Sequence, residues 1–322
     1  MTSILFIKTS SLGDVVHHMP VIADLRHHRP SAHVGWVVEE AFAPLVRLHP
    51  GVDEVIPVAW RRWRHALAFP TTWQEIAATA RRLRERHYDA VIDTQGLVRT
   101  AAITCLARGR RHGYDQASVR EPLATFAYQE RHAVSRADHA IDRNRALAGL
   151  ALGYAPSAAI DYGLDIAPSL AAAADAAGNG RYAVLLHATA RAEKQWPEQH
   201  WIALGQNLVR QGLESVLPWG SPGERARSER IAAAVPDARV PEKRPLDEVA
   251  RLIAGASVVV GVDTGLLHVA AALGVPLVAI FVASAPELTR PLGRGPIAIL
   301  GRKGGEVSLA EVEASVARVI EP

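Results

Sequence analysis

The sequence has almost no cysteine. Cys105 is the single cysteine among 322 residues, so an internal disulfide and a cysteine-based zinc site are both excluded. A chain without disulfides is typical of a reducing compartment. The first eight residues also lack the basic segment and the long apolar run of an export signal. We therefore expect a cytoplasmic protein.

Long hydrophobic runs are missing as well. The most apolar stretch, residues 257–283, contains Asp263, His268, Pro276 and three glycines. A membrane-spanning helix of about 20 residues would not hold that mixture without a functional reason. The stretch predicts a buried strand, a helix and a second strand. Membrane contact, if present, is expected to be peripheral.

Neither sign of charge predominates. The 36 basic and 33 acidic side chains leave a net charge of +3, which is too even for a general nucleic-acid-binding protein. Apolar residues make up 49% and charged residues 21%, as in ordinary folded domains. A chain of this length is expected to form two domains.

Short β-branched runs alternate with helical patterns along most of the chain, for example residues 4–8, 34–38, 55–58 and 90–93 as strands. This alternation is typical of parallel sheets covered by helices on both faces. The pattern breaks around residues 151–181, where glycine, proline and alanine predominate, and then resumes. We therefore predict two doubly wound, Rossmann-like α/β domains, residues 1–165 and 166–322, that face each other across a cleft. Ligands bind such sheets beyond the carboxyl ends of the strands.

The loop of residues 8–14 follows the first predicted strand. It contains neither the G-x-G-x-x-G dinucleotide fingerprint nor a G-x-x-x-x-G-K phosphate loop, which disfavours a dehydrogenase. Gly13 permits a tight turn and Asp14 lies at a helix start. Asp14 either complements the helix dipole or faces the cleft as a carboxylate that takes a proton from a substrate hydroxyl.

Two further loops have the composition of a phosphate site. Residues 187–197 combine Thr189 and Lys194 with a helix start, and residues 262–268 form an Asp-Thr-Gly turn before an apolar helix. Backbone N–H groups at a helix start bind diphosphates. The alternative is a solvated loop for residues 187–197 and ordinary helix capping for residues 262–268. Glu224 is a candidate ligand for ribose hydroxyls. The sequence lacks an Asp-x-Asp motif, so it does not require a divalent metal.

A basic and aromatic cluster follows the third predicted strand at residues 60–64, and more basic residues occur up to residue 143. Arginine binds phosphate and carboxylate groups bidentately, and tryptophan suits a lipid–water interface. The alternative interpretation is a solvated charged face.

Taken in order, these segments resemble glycosyltransferase family 9, the heptosyltransferases. The motifs that carry the resemblance are residues 8–14, 36–40, 55–64, 88–97, 120–123, 187–197, 217–220 and 262–268. It implies a GT-B fold with an acceptor-binding N-terminal domain and a nucleotide-sugar-binding C-terminal domain. It also implies an inverting transfer of heptose from ADP-L-glycero-D-manno-heptose to the inner Kdo of Kdo-lipid A, at the cytoplasmic face of the inner membrane. Neither a cofactor, a nucleic acid nor an obligate protein partner is implied.

The resemblance also implies roles for individual residues. Asp14 is the expected general base, and Lys194 the expected catalytic cation. The expected donor ligands are Gly13, Thr189, Lys194, Glu224, Asp263, Thr264, Gly265, Leu266 and His268. The expected acceptor ligands are Arg61, Arg62, Arg64, Arg120, His139 and Arg143.

Three positions depart from the family pattern. Ala190 stands where a second threonine is common, Arg244 replaces an apolar residue, and residues 282–286 replace a Gly-Pro-Thr-like turn. These departures affect the expected donor pocket and not the class. Two alternative functions remain: a family member whose acceptor is already heptosylated, and a non-catalytic protein that binds a nucleotide sugar.

Overall fold

The computed structural model describes residues 2–164, 166, 180–189, 193, 195–283 and 287–321. The chain divides into two compact units, Met1–Leu164 and Asp165–Pro322. Each unit contains one fully parallel sheet. Within these residues, no helix has the length and apolar character needed to cross a bilayer.

The first unit has a six-stranded sheet in the order β3-β2-β1-β4-β5-β6. This is the order of a dinucleotide-type doubly wound sheet. Its strands are β1 (Ser3–Ile7), β2 (His33–Glu39), β3 (Glu54–Val58), β4 (His87–Asp93), β5 (Arg108–Tyr114) and β6 (Glu130–His132). Its helices are α1 (Leu12–Val16), α2 (Met19–His28), α3 (Ala43–Val46), α4 (Trp60–Trp63), α5 (Pro70–Glu85), α6 (Val98–Leu106) and α7 (Ala140–Leu152).

The second unit has a five-stranded sheet in the order β11-β10-β9-β7-β8. Counted within the unit, this is the 2-1-3-4-5 order of the other common doubly wound arrangement. The strands are β7 (Tyr182–Leu186), β8 (Glu214–Val216), β9 (Val258–Val262), β10 (Leu277–Phe281) and β11 (Ile297–Gly301). The helices are α8 (Glu198–Arg210), α9 (Pro222–Ala233), α10 (Leu246–Ala254), α11 (Gly265–Ala272) and α12 (Leu309–Ile320).

Central strands of both sheets are buried along their whole length, as β1, β7, β9 and β10 show. Parallel sheets covered on both faces require such continuous apolar runs. Gly261 in β9 permits close packing, because a Cβ there would lie 2.7 Å from Leu186 Cβ. The sheets thus form rigid platforms from which the loops at their carboxyl ends project.

The first helical region is divided near Pro20. The chain forms two helices, α1 and α2, that are separated at His17 and His18. Pro20 lies in the first turn of α2, where its missing N–H group costs no helical hydrogen bond. The short α1 is therefore left as a separate turn that carries Asp14.

Candidate active site

The first candidate site lies where the strand order of the first sheet reverses, between β1 and β4. We call it the first-unit site; it comprises residues 8–14, residues 93–97 and the start of α7. The two loops are joined by the backbone N–H of Ser10, which donates to Gln95 Oε1 over 3.2 Å. Arg99 Nη2 donates to Ser10 Oγ over 2.9 Å. Such a reversal point forms the ligand crevice of doubly wound sheets.

Asp14 is held in place by the residue that begins its own helix. Asp14 Oδ2 accepts the backbone N–H of Ser11 at 2.7 Å and the Ser11 hydroxyl at 2.9 Å. This contact has the form of a helix-capping interaction. The carboxylate is only half-buried, and both bonds reach one oxygen. The geometry therefore combines the capping role with a fixed, accessible carboxylate.

Lys8 is a buried cation of the first-unit site. It is 5% exposed, and its Nζ donates to the Thr94 carbonyl at 2.9 Å and to Asn144 Oδ1 at 3.3 Å. Burial lowers the pKa of Lys8, while the negative charges of Asp14 and Asp93 oppose that decrease. Lys8 thus links the end of β1 to β4 and α7.

A tight turn after β4 forms the part of the first-unit site that comprises residues 93–97. Asp93 is fully buried, and its Oδ1 accepts the backbone N–H groups of Gln95 and Gly96 at 2.8 and 3.1 Å. The Tyr128 hydroxyl donates to Asp93 Oδ2 at 2.8 Å, and burial raises the pKa of Asp93. Gly96 has a φ of 69°, a backbone conformation that residues other than glycine rarely adopt.

Three of the predicted acceptor ligands lie at or near this site. His139 caps α7, since its Nδ1 accepts the Ile141 N–H at 3.2 Å. Arg143, in the first turn of α7, donates to the Ser118 carbonyl at 2.6 Å and lies 4.9 Å above the Tyr114 ring. The charges of Arg143 and Arg120 both lower the pKa of Lys8. The structure therefore brings Arg120 and Arg143 into the neighbourhood of Lys8.

The basic cluster forms the short helix α4, which is tied to the sheet. The buried Glu39, at the end of β2, accepts the backbone N–H of Arg61 at 3.1 Å. Arg62 is paired with Glu40 at 3.1 Å and Glu75 at 2.9 Å. Arg64 Nε contacts His65 Nε2 at 3.0 Å. The charge of Arg62 is thus already matched by two acidic neighbours.

The second candidate site lies at the corresponding reversal point of the second sheet, between β7 and β9. We call it the second-unit site; it comprises residues 187–189, 220–224 and 263–268. The hydroxyl of Thr189, after β7, donates to the carbonyl of Asp263, after β9, over 3.2 Å. Two loops that the sequence separates by more than 70 residues are thus brought together.

Helix α11 begins at this contact. Thr264 is its N-cap residue, and within the described part of the chain its side chain does not cap the helix. The N–H groups of Gly265 and Leu266 thus start a helix whose positive dipole end faces the loop. His268 is buried one turn into α11. Such a helix start is suited to a diphosphate.

Glu224 lies in the first turn of α9. Its Oε2 accepts the Gly220 N–H at 2.7 Å, and its own N–H donates to Ser221 Oγ at 3.4 Å. These bonds orient a half-buried carboxylate beside the glycine-rich turn. A carboxylate held in this way can accept hydrogen bonds from a pair of ribose hydroxyls.

Some predicted positions receive no structural test. Lys194, Ala190 and residues 284–286 lie outside the described residues.

Gly13 is buried in the first turn of α1, where its carbonyl accepts the His17 N–H at 2.8 Å. Arg244 is paired with Glu248 at 3.1 Å. Across the described ranges, no three His, Cys, Asp or Glu side chains are grouped as metal ligands.

Sequence reasoning gave no role to several residues that build these sites. Lys8, Asp93 and Glu39 all directly follow or end buried strands, and that position was the available signal. Asn144 gave no signal, because it contacts Lys8 from a helix 136 residues away. Arg227, a buried cation of α9, was likewise not predicted.

Comparison with known proteins agrees with this architecture. The model of glycosyltransferase family 9 (heptosyltransferase) matches residues 76–312. Lipopolysaccharide heptosyltransferase 1 of Escherichia coli O18:K1:H7 is 41% identical over 307 residues, which cover 95% of this chain and 93% of that protein. Lipopolysaccharide heptosyltransferase 2 of E. coli K12 is 36% identical over 104 residues, 31% of this chain and 30% of that protein.

Solved structures of E. coli heptosyltransferase WaaC extend the likeness to the fold. The structure with ADP has a TM-score of 0.90 at 38% identity and covers 98% of this chain and 99% of its own. The structure with ADP-2-deoxy-2-fluoro heptose has a TM-score of 0.86 at 39% identity, with the same coverage of both chains. The chain therefore has the GT-B fold and belongs to glycosyltransferase family 9, the heptosyltransferases.

Proposed function

We propose that this heptosyltransferase of lipopolysaccharide core synthesis moves heptose from ADP-L-glycero-D-manno-heptose to the inner Kdo of Kdo-lipid A. The contact between Thr189 and Asp263 carries the proposal, since it assembles a diphosphate site from two loops at a helix start. The ligands of the WaaC structures support the donor. The likeness to heptosyltransferase 1 over nearly the whole chain supports the acceptor.

The second-unit site holds the donor. The N–H groups of Gly265 and Leu266 and the Thr189 hydroxyl bind the diphosphate, and Glu224 accepts from the ribose hydroxyls. Lys194 adds a positive charge that stabilises the departing ADP. A helix dipole and an ammonium group act on the developing negative charge as a metal ion would, so the reaction proceeds without a divalent cation.

The first-unit site holds the acceptor and removes its proton. Asp14 takes the proton from the acceptor hydroxyl while that oxygen bonds to the anomeric carbon of heptose. The bond from this carbon to the diphosphate breaks on the opposite face, so the configuration inverts. Because Ser11 occupies Oδ2, Oδ1 is the atom we assign to the acceptor hydroxyl. Arg120, Arg143, His139, Arg61 and Arg64 match the phosphate and carboxylate groups of the acceptor.

We also propose peripheral contact with the cytoplasmic face of the inner membrane through α4 and the following segment. Trp60, Leu67, Phe69 and Trp73 are 38%, 50%, 61% and 57% exposed. They lie beside Arg61 and Arg64, a combination that suits an anionic lipid surface. Replacing Phe69 and Trp73 by Ser should reduce co-sedimentation with phosphatidylglycerol vesicles several-fold. Leu150→Ser, at an equally exposed apolar residue of α7, is the control and should change nothing; equal binding by all variants would refute this surface.

A mass-detected transfer assay tests the reaction itself. With ADP-heptose and Kdo-lipid A we expect one heptose to be added, at an unchanged rate in excess EDTA. A strict requirement for added Mg²⁺ would contradict the metal-free scheme. Preference for an already heptosylated acceptor would assign the chain to the second transfer, and donor binding without product would indicate a non-catalytic protein.

A further inference from the structure

Two consecutive residues of α9 hold both ends of the loop that carries Thr189 and Lys194. At the loop's start, His187 Nε2 and Ser228 Oγ lie 2.7 Å apart in a buried hydrogen bond. At its end, Arg227 Nη2 donates to the Trp196 carbonyl over 2.7 Å. One helical turn thus fixes where the loop of residues 188–195 begins and where it ends.

Both loop ends are themselves rigid. His187 is fully buried and Trp196 is 1% exposed. The Trp196 ring donates from Nε1 to the Val307 carbonyl at 2.8 Å and packs against Trp201 with ring centres 5.1 Å apart. A shift of α9 relative to β7 would therefore be transmitted to His187 and Trp196.

The chemistry of Arg227 is unfavourable for a residue that serves stability alone. Its side chain is 8% exposed, and its Nε lies 3.7 Å from Glu198 Oε2. Within the described part of the chain, Nε and Nη1 have no hydrogen-bond partner. A buried cation with so few partners costs folding free energy, and a well-packed neutral side chain would be at least as stable. The guanidinium is therefore better explained by its hydrogen bond to the Trp196 carbonyl, which positions that end of the loop.

We propose that Arg227 and Ser228 form a clamp that holds His187 and Trp196, and that it thereby positions the neighbouring Thr189 for the diphosphate of the nucleotide sugar. The inference rests on the function proposed above. Arg227 and Ser228 are positioning residues, since they act through Thr189 and Lys194 and not on the substrate. The same helix carries Glu224 in its first turn, so one element sets both the ribose contact and the diphosphate contact.

Calorimetry with ADP, and with adenosine as a competitor, separates this role from a general structural one. Arg227→Met should weaken ADP binding about tenfold, the effect of losing one charge-assisted hydrogen bond, and leave adenosine affinity unchanged. Arg230→Met is the matched control. Arg230 pairs with the same Glu198 at 2.8 Å but is exposed, so its loss should change neither affinity. Equal weakening of ADP and adenosine, or unchanged ADP binding, would overturn the clamp.

Two milder variants keep the test valid if Arg227→Met does not fold. Ser228→Ala removes the bond at the start of the loop and should weaken ADP about threefold. Arg227→Lys retains a donor and should restore part of the ADP affinity. Unchanged ADP affinity in both variants would refute the proposal.

A double-mutant cycle with Lys194→Ala distinguishes the clamp from the function on which it rests. If Arg227 acts through the loop, Arg227→Met should weaken ADP much less in the Lys194→Ala background than in the native protein. Fully additive effects would contradict the clamp alone. An unchanged ADP affinity for Lys194→Ala itself would contradict the diphosphate role of Lys194 and so the proposed function.

Discussion

The two candidate sites are built from different groups, although both lie at the reversal point of a parallel sheet. The first-unit site consists mainly of buried side chains: Lys8, Asp93 and Asn144 are each at most 5% exposed, and Lys8 donates to Asn144. The second-unit site presents the start of α11, one hydroxyl and one half-buried carboxylate. Proton transfer needs an individual charge in a fixed place, whereas a diphosphate is bound by several backbone dipoles together.

The largest effect is expected at Asp14, the proposed base of the first-unit site. Asp14→Asn should lower kcat by about 10²–10⁴, the usual contribution of general base catalysis. Turnover with Kdo-lipid A measures this effect. Asp138→Asn, at an exposed aspartate of the same unit, should leave kcat unchanged. Near-normal turnover of Asp14→Asn would refute the base assignment.

A smaller effect is expected at Thr189 in the second-unit site. Thr189→Val should weaken ADP about threefold to tenfold, because one hydroxyl is lost from the diphosphate site and from its bond to the Asp263 carbonyl. Calorimetric titration with ADP measures it. Thr104→Val removes a similar hydroxyl-to-carbonyl bond in α6 and should have no effect on ADP. The assignment of Thr189 to donor binding would be contradicted if Thr189→Val lowered kcat without changing the affinity for ADP.

The smallest effect concerns stability and compares the two units directly. Each contains a buried histidine, His49 and His187, whose pKa burial lowers to about 4. Protonation therefore favours the unfolded chain, and stability is lost as the pH falls from about 6.5 to 4. Between pH 7 and pH 5 each histidine should cost about 1–2 kcal/mol. Denaturation of His49→Asn and His187→Asn should each show that much less pH dependence; a native-like pH dependence in either would contradict the assignment for that unit.

The sequence predicted the most apolar stretch closely and other parts of the chain poorly. Residues 257–283 contain β9, α11 and β10, which are the strand, helix and strand that their strong apolar pattern predicts. Strand β5 has the sequence Arg-Gly-Arg-Arg-His-Gly-Tyr and lacks any such pattern. It forms by pairing with β4. This pairing requires glycine at position 109, because a Cβ there would lie 2.2 Å from the Tyr88 carbonyl oxygen.

The site shows the same limit. The loops after β1, β7 and β9 were predictable, because polar residues at the ends of buried strands are visible in the sequence. The contacts between those loops depend on strand order, which local patterns do not encode. The bond from Lys8 to Asn144, the contact from Thr189 to Asp263 and the link from Arg227 to Trp196 all required the assembled sheets.

The most direct test of the proposed division of roles between the two sites is the affinity of the Asp14→Asn protein for ADP, measured by calorimetry. The account predicts a Kd within about twofold of the native value, because in the proposed scheme Asp14 serves the acceptor and the second-unit site holds the nucleotide. A tenfold weaker Kd would contradict it, since Asp14 would then contribute to holding the donor.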